Sequence, residues 1–133
     1  MNRRELREHV FQLLFRIEFH EESEMTEQVK MFFEDIEMLG IVEKDQTHIE
    51  NKYNEIILKL DELDGFINGI AEGWKTKRMG KVDLTLIRLA VYEMKYDDEI
   101  PVSVAINEAV ELAKKFGGDE SSAFVNGILA KLA

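Results

Sequence analysis

Between Val82 and Met94 the chain reads VDLTLIRLAVYEM. Wound at 3.6 residues per turn, Leu84, Leu86, Ile87, Leu89, Ala90, Val91 and Met94 cover almost the whole circumference of a helix. A helix that is apolar all round is central to its fold. Arg88 and Glu93 are its polar exceptions.

Around this segment the periodicity is that of one-faced helices. From Arg3 to Phe19 the stripe is Leu6, Val10, Leu13, Leu14 and Ile17, with Phe11 and Phe15 off it. A second segment, from about Thr26 to Leu39, carries Val29, Phe32, Phe33 and Ile36 and stops at Gly40. A third, from about Gln46 to Leu60, carries Ile49, Tyr53, Ile56, Ile57 and Leu60. A short helix follows around Phe66, Ile67 and Ile70, flanked by Gly65 and Gly73. Pro101 suits the first turn of VSVAINEAVELAKKF, where a missing N–H costs nothing. The buried side of that helix is Val102, Ala105, Ile106, Ala109, Val110, Ala113 and Phe116, and Gly117-Gly118 ends it. Ser121 and Ser122 start the last helix, with Phe124, Val125, Ile128, Leu129 and Leu132 facing in. Clean period-two alternation bounded by turns is missing. The expectation is an all-α, compact single-domain bundle of about seven helices over residues 1–133, with no linker or repeat.

Several functional classes fall away. Without cysteine there is no disulfide framework, thiolate metal site or cysteine nucleophile, which fits a reducing cytoplasm. No run nears the roughly 18 apolar residues of a membrane span. The N-terminus starts basic, but Glu5, Glu8 and His9 break any signal-peptide core. A soluble, unprocessed, cytoplasmic chain is expected. His9, His20 and His48 are not at metal-ligand spacing from one another. His20-Glu21 opens like a zinc-protease motif, but Glu24 stands where a second histidine is needed. Asp45 and His48 are three apart, a lone pair without further carboxylate partners. Phosphate-binding glycine loops and nucleophile elbows are missing too, so no catalytic residue, metal or cofactor is expected.

Charge is distributed unevenly. The total is −10. Residues 1–16 hold Arg3, Arg4, Arg7 and Arg16 against Glu5 and Glu8, about +2 by counting. Residues 18–64 hold fifteen acids against four lysines, about −11. A second basic cluster is Lys75, Lys77, Arg78 and Lys81. Basic patches on an acidic body suggest local, oriented recognition instead of general polyanion binding. Arg3 and Arg7 share a helix face, and Phe11 and Phe15 share another one to two turns on. Arginines beside exposed aromatics serve single-stranded RNA, the guanidiniums pairing with phosphates and the rings stacking. A frayed, solvated start with the phenylalanines in the core is the competing reading of this segment.

The second half reads GKVDLTLIRLAVYEM, then IPVSVAINEAVELAKKFG, then FVNGILAKL. With the N-terminal arginine helix ending in QLLF, this ordered string resembles the NusB family across essentially the whole chain, most strongly from Gly80 to Leu132. The resemblance implies an RNA-binding antitermination fold without enzymatic activity. It implies a partner, NusE, a ribosomal small-subunit protein, and joint binding of single-stranded boxA RNA. Contact with RNA polymerase follows through other Nus factors, suppressing termination, notably in ribosomal RNA operons. Carried over by position, the RNA surface is Arg3, Arg4, Arg7 and Phe15, then the turn with Lys114, Gly117, Glu120 and Ser121, then Phe124. Phe15 stands where the family often has Tyr, which keeps a ring and loses a hydroxyl. Phe15 and Phe124 admit two readings, stacking surface or core. Glu120 either caps the last helix or accepts from a base amino group. Asp83 matches an acidic position that contacts NusE and equally suits a first-turn acid. Asn107, Glu108, Asn126 and Gly127 are read as structural, Gly127 allowing close helix contact. A protein-interaction scaffold, or an RNA-targeting module acting in trans for an RNA methyltransferase, is the alternative use. With the chain ending at Ala133, the free-standing factor is favoured.

Overall fold

The computed structural model describes residues 1–71 and 73–133. Seven α-helices and no strand form among the described residues: α1 (Arg3–Phe15), α2 (Met25–Met38), α3 (Glu43–Leu58), α4 (Leu60–Ile70), α5 (Lys81–Tyr96), α6 (Val102–Phe116) and α7 (Ser121–Leu132). Short 3-10 turns lie at Arg16–Glu18, Glu22–Glu24 and Thr76–Arg78. The chain divides into two compact units, residues 1–55 and 56–133.

In the first unit, the Asn2 side chain caps α1 by accepting from the Glu5 N–H at 2.8 Å. α1 buries Arg7, Val10, Phe11, Leu13 and Leu14. Phe11, placed off the apolar stripe by spacing, is therefore core, because the buried face is wider than one stripe. The helical run also ends earlier than its periodicity suggests, tightening to 3-10 at Arg16. Arg16 donates to the Gln28 carbonyl and side chain, both at 3.2 Å, and lies over the Phe32 ring at 5.4 Å. α2 stops as its glycine requires. Gly40 has φ 80°, its N–H donates to Glu37 O, and the Ile41 N–H donates to Ile36 O. Those two bonds make a Schellman end, which a left-handed glycine permits. Gln46 then ties α3 back to the turn, donating to Ile41 O at 2.8 Å and to Glu37.

The second unit is built on α5. Every residue from Leu84 to Glu93 is buried, and α4, α6 and α7 pack against this helix. Arg88 donates to both carboxylate oxygens of Asp64 on α4, each at 2.8 Å. This fork pairs a guanidinium that water barely reaches with a carboxylate. α4 runs longer than its apolar pattern indicates. It starts at Leu60, so Gly65 lies inside it and does not flank it. At the far end of α5, the Tyr96 hydroxyl donates to Glu62 at 2.6 Å, and Lys59 sits over its ring at 4.3 Å. Pro101 is the N-cap of α6 with φ −58°, one position earlier than expected. Along α6, Ala105, Ala109 and Ala113 are buried as expected, but Val102 is exposed. Of the residues read as structural, Glu108 is buried, whereas Asn107, Asn126 and Gly127 are exposed. A Cβ on Gly127 would meet no atom within 4 Å, so close helix contact is not what this glycine provides in the chain.

Two consequences are measurable. Asp64→Ala leaves Arg88 buried without its fork and should cost about 3–5 kcal/mol in urea unfolding. The paired change Asp64→Leu/Arg88→Met should lose less, since the buried guanidinium leaves together with the carboxylate that forks it. For Tyr96, the bond to Glu62 comes first, with burial and the Glu62 charge adding to it, in raising the phenol above its ordinary value of 10.0. The neutral phenol is thus favoured by folding. Its stabilisation is complete below about pH 10 and fades as pH climbs through the raised value. In an alkaline absorbance titration, Glu62→Ala should move one tyrosine back toward the ordinary value.

Candidate nucleic-acid interface

Arg3, Arg4, Arg7 and Phe15 belong to the first unit. Arg3 and Arg4 stand exposed at the start of α1, where the helix N-terminus adds its own positive end. Arg7 differs from the outward-facing cation that RNA contact calls for, with only 8% of its surface exposed. Phe15 is half-buried, stacked on Phe11 at 5.6 Å and met edge-on by Phe19 at 4.9 Å. Phe19 itself is 56% exposed and carries more open ring surface than Phe15. Sequence reasoning passed over it, although the four-residue spacing of Phe11, Phe15 and Phe19 was visible.

The remaining candidates lie in the second unit, where the chain turns from α6 into α7. Lys114 is exposed, with its ammonium 3.3 Å from Glu111. Gly117 is held tightly. A Cβ there would come within 2.5 Å of both side-chain atoms of Ser121 and 2.8 Å of Ala113 O. The Ser121 hydroxyl accepts from the Gly118 N–H at 3.0 Å, so it is spent on shaping the turn. Glu120 is the N-cap residue of α7, but its side chain makes no cap bond and stands exposed. Of the two roles read for Glu120, this geometry does not show the capping one. Phe124, half-buried, meets the Trp74 ring at 5.7 Å and 72°.

Glu120, Ser121 and Phe124 belong to the lining of a recess of about 510 Å³, with Trp74, Met79, Gly80, Asp83, Gly118 and Asp119. The structure therefore brings Asp83, assigned to a protein partner, together with Glu120, Ser121 and Phe124, assigned to RNA. Lys114 and Gly117 are not part of this lining. Asp83 is in the first turn of α5, and its Oδ1 is buried without a hydrogen-bond partner among the described residues. Trp74 also escaped sequence reasoning. A lone tryptophan outside any apolar stripe, followed directly by Lys75, Lys77 and Arg78, was the available signal. Arg78 lies over its ring at 6.0 Å. Elsewhere, no three His, Asp or Glu side chains among the described residues gather as a metal site. No helix among them is long and apolar enough to cross a membrane.

Comparison with known proteins is uniform. The NusB family model matches residues 4–133. The transcription antitermination protein NusB of Lachnoclostridium phytofermentans is 53% identical over 132 residues, spanning 99% of this chain and 98% of that protein. The structure of T. maritima NusB superposes with a TM-score of 0.88 at 32% identity, covering 100% of this chain and 91% of that one. A chain in the crystal structure of antitermination factors NusB and NusE with dsRNA gives a TM-score of 0.77 over 98% of this chain and 94% of its own. At 23% identity, that last likeness is one of fold alone.

The packing at Gly117 makes a direct prediction. Gly117→Ala forces Ser121 aside and breaks the bond its hydroxyl accepts from Gly118. Thermal unfolding should register a loss of about 1–3 kcal/mol. An unchanged midpoint would show that the turn has room the structure denies it.

Proposed function

The chain belongs to the NusB family, and from that premise we propose that it is a transcription antitermination factor that binds single-stranded boxA RNA together with NusE. Family relatives carry the name transcription antitermination protein, and the full-length match at 53% identity is the observation that carries the reading. In this reading residues 1–133 act as one RNA-binding domain in the cytoplasm, without catalysis or cofactor. The complex reaches RNA polymerase through other Nus factors.

Local features support this. Arg3 and Arg4 offer exposed guanidiniums for phosphate. The recess in the second unit offers aromatic edges and carboxylate acceptors to bases. Arg7, largely buried, serves α1 first and RNA only secondarily. Phe15 contributes ring surface with Phe19, and Lys114 adds a cation beside the turn. Asp83 is the residue proposed to face NusE. A net charge of −10 suits a basic protein partner, because complementary charge speeds association and selects against wrong partners. The same acidity keeps RNA affinity modest until the partner joins.

Fluorescence anisotropy of a short boxA-like RNA, with and without NusE, tests the proposal. Binding should tighten with NusE and be lost on scrambling the RNA. Arg3→Ala/Arg4→Ala should weaken it and flatten the slope of log K against log salt by about 1.4, two phosphates at about 0.7 each. Absence of sequence-dependent binding in every combination would sink the reading in favour of a protein-interaction scaffold.

A further inference from the structure

Trp74 is the only tryptophan of the chain, and 52% of its surface is exposed. A large ring left half in water calls for an explanation, since tryptophan is highly buried on average. Its surroundings supply one. Phe124 meets the ring at 5.7 Å with the two planes 72° apart, and the Arg78 guanidinium lies 6.0 Å from its centroid. The indole thereby lines a recess of about 510 Å³, within the roughly 300–1,000 Å³ of small-molecule sites.

Charge around the recess is sorted by sign. Among the described residues its lining contains the carboxylates of Asp83, Asp119 and Glu120 and no cation. The cations Lys77 and Arg78 stand exposed on the adjoining turn, outside the lining except where Arg78 covers Trp74. A phosphate is repelled from such an interior and attracted to the turn beside it. Carboxylates, which only accept hydrogen bonds, suit a ligand edge that donates them. Taken together, these features fit a nucleotide entering base first.

Resting on the RNA-binding reading above, we propose that this recess is a nucleobase subsite in which a guanine stacks on Trp74 and donates its Watson–Crick N–H groups to the carboxylates of Asp119 and Glu120. The phosphate stays outside beside Lys77 and Arg78. Guanine carries two adjacent donors, N1–H and the N2 amino group, which match the two oxygens of one carboxylate. Uracil offers a single donor between two carbonyls, and those carbonyls face the acids unfavourably. Unpaired bases read on their Watson–Crick edges and stacked on aromatic rings are the usual currency of single-stranded RNA recognition.

A lone tryptophan makes the test direct. Anisotropy of a short boxA-like RNA containing one guanine reports binding, while Trp74 emission reports stacking, in the same titration of the full chain with NusE. Emission should be quenched and saturate together with anisotropy. Replacing the guanine by inosine, which lacks the N2 amino group, or by uridine should weaken binding several-fold. Trp74→Ala should weaken it about tenfold and Trp74→Phe far less. Asp119→Asn/Glu120→Gln should narrow the gap between guanine and inosine, with circular dichroism confirming that each variant keeps its helices. RNA binding with unchanged Trp74 emission, or with equal affinity for guanine and uridine, would overturn the subsite and leave the RNA reading intact. Failure of RNA to bind at all would instead overturn the reading beneath it. Quenching by NusE alone, unaffected by RNA, would give the recess to a protein side chain and end the nucleobase proposal.

Discussion

Burial of α5 is the constraint on which the second unit depends. A helix with apolar side chains all round gains stability only when each side is covered, at roughly 1.5–3 kcal/mol for each fully buried large side chain. α4, α6 and α7 provide that cover. Their packing leaves Arg88 inside, and the fork to Asp64 is the condition for keeping it there. The helix ends are then set as well. Its first turn carries Asp83 to the recess, and its last turn brings Tyr96 to Glu62. The candidate site thus sits at one end of a helix that is buried from Leu84 to Glu93, a good place for a group that must be held still.

Electrostatics gives this acidic protein its selectivity. A body of charge −10 repels nucleic acid in general, so only exposed cations in the right places can bring it close. In the proposed reading Arg3 and Arg4 in one unit, and Lys77 and Arg78 in the other, are such cations; all four are exposed. The carboxylates of the recess act in the opposite sense and favour a base edge over a phosphate. On that reading few phosphates are neutralised, so the proposed RNA affinity is low and leaves room for a protein partner to control it.

Helix positions were legible because apolar periodicity and glycine stops are local signals. Gly40 ends α2 as read, through the two hydrogen bonds that only a left-handed residue allows. Exposure of particular side chains was less legible. Phe11 and Arg7 lie on the rim of the buried face of α1, and spacing alone does not say how wide that face is. Gly127 shows the same limit from the other side. A glycine in a helix suggests close packing, yet here it fronts open space. Trp74 and Phe19 were overlooked because neither belongs to an apolar stripe, and a stripe is what periodicity detects.

By itself the sequence determined an all-helical chain with a central helix, an acidic body with two basic patches, and membership of a family through one long ordered string. Those properties depend on composition, on near neighbours along the chain, and on residue order. Tertiary structure alone decided that Asp64 answers Arg88, twenty-four residues away, and that Gly117 has no space for a methyl group. It also decided that Asp83, Trp74, Glu120 and Phe124 line one recess. Such pairings depend on which helices meet and at what register, and close packing resolves that choice only after the helices have formed.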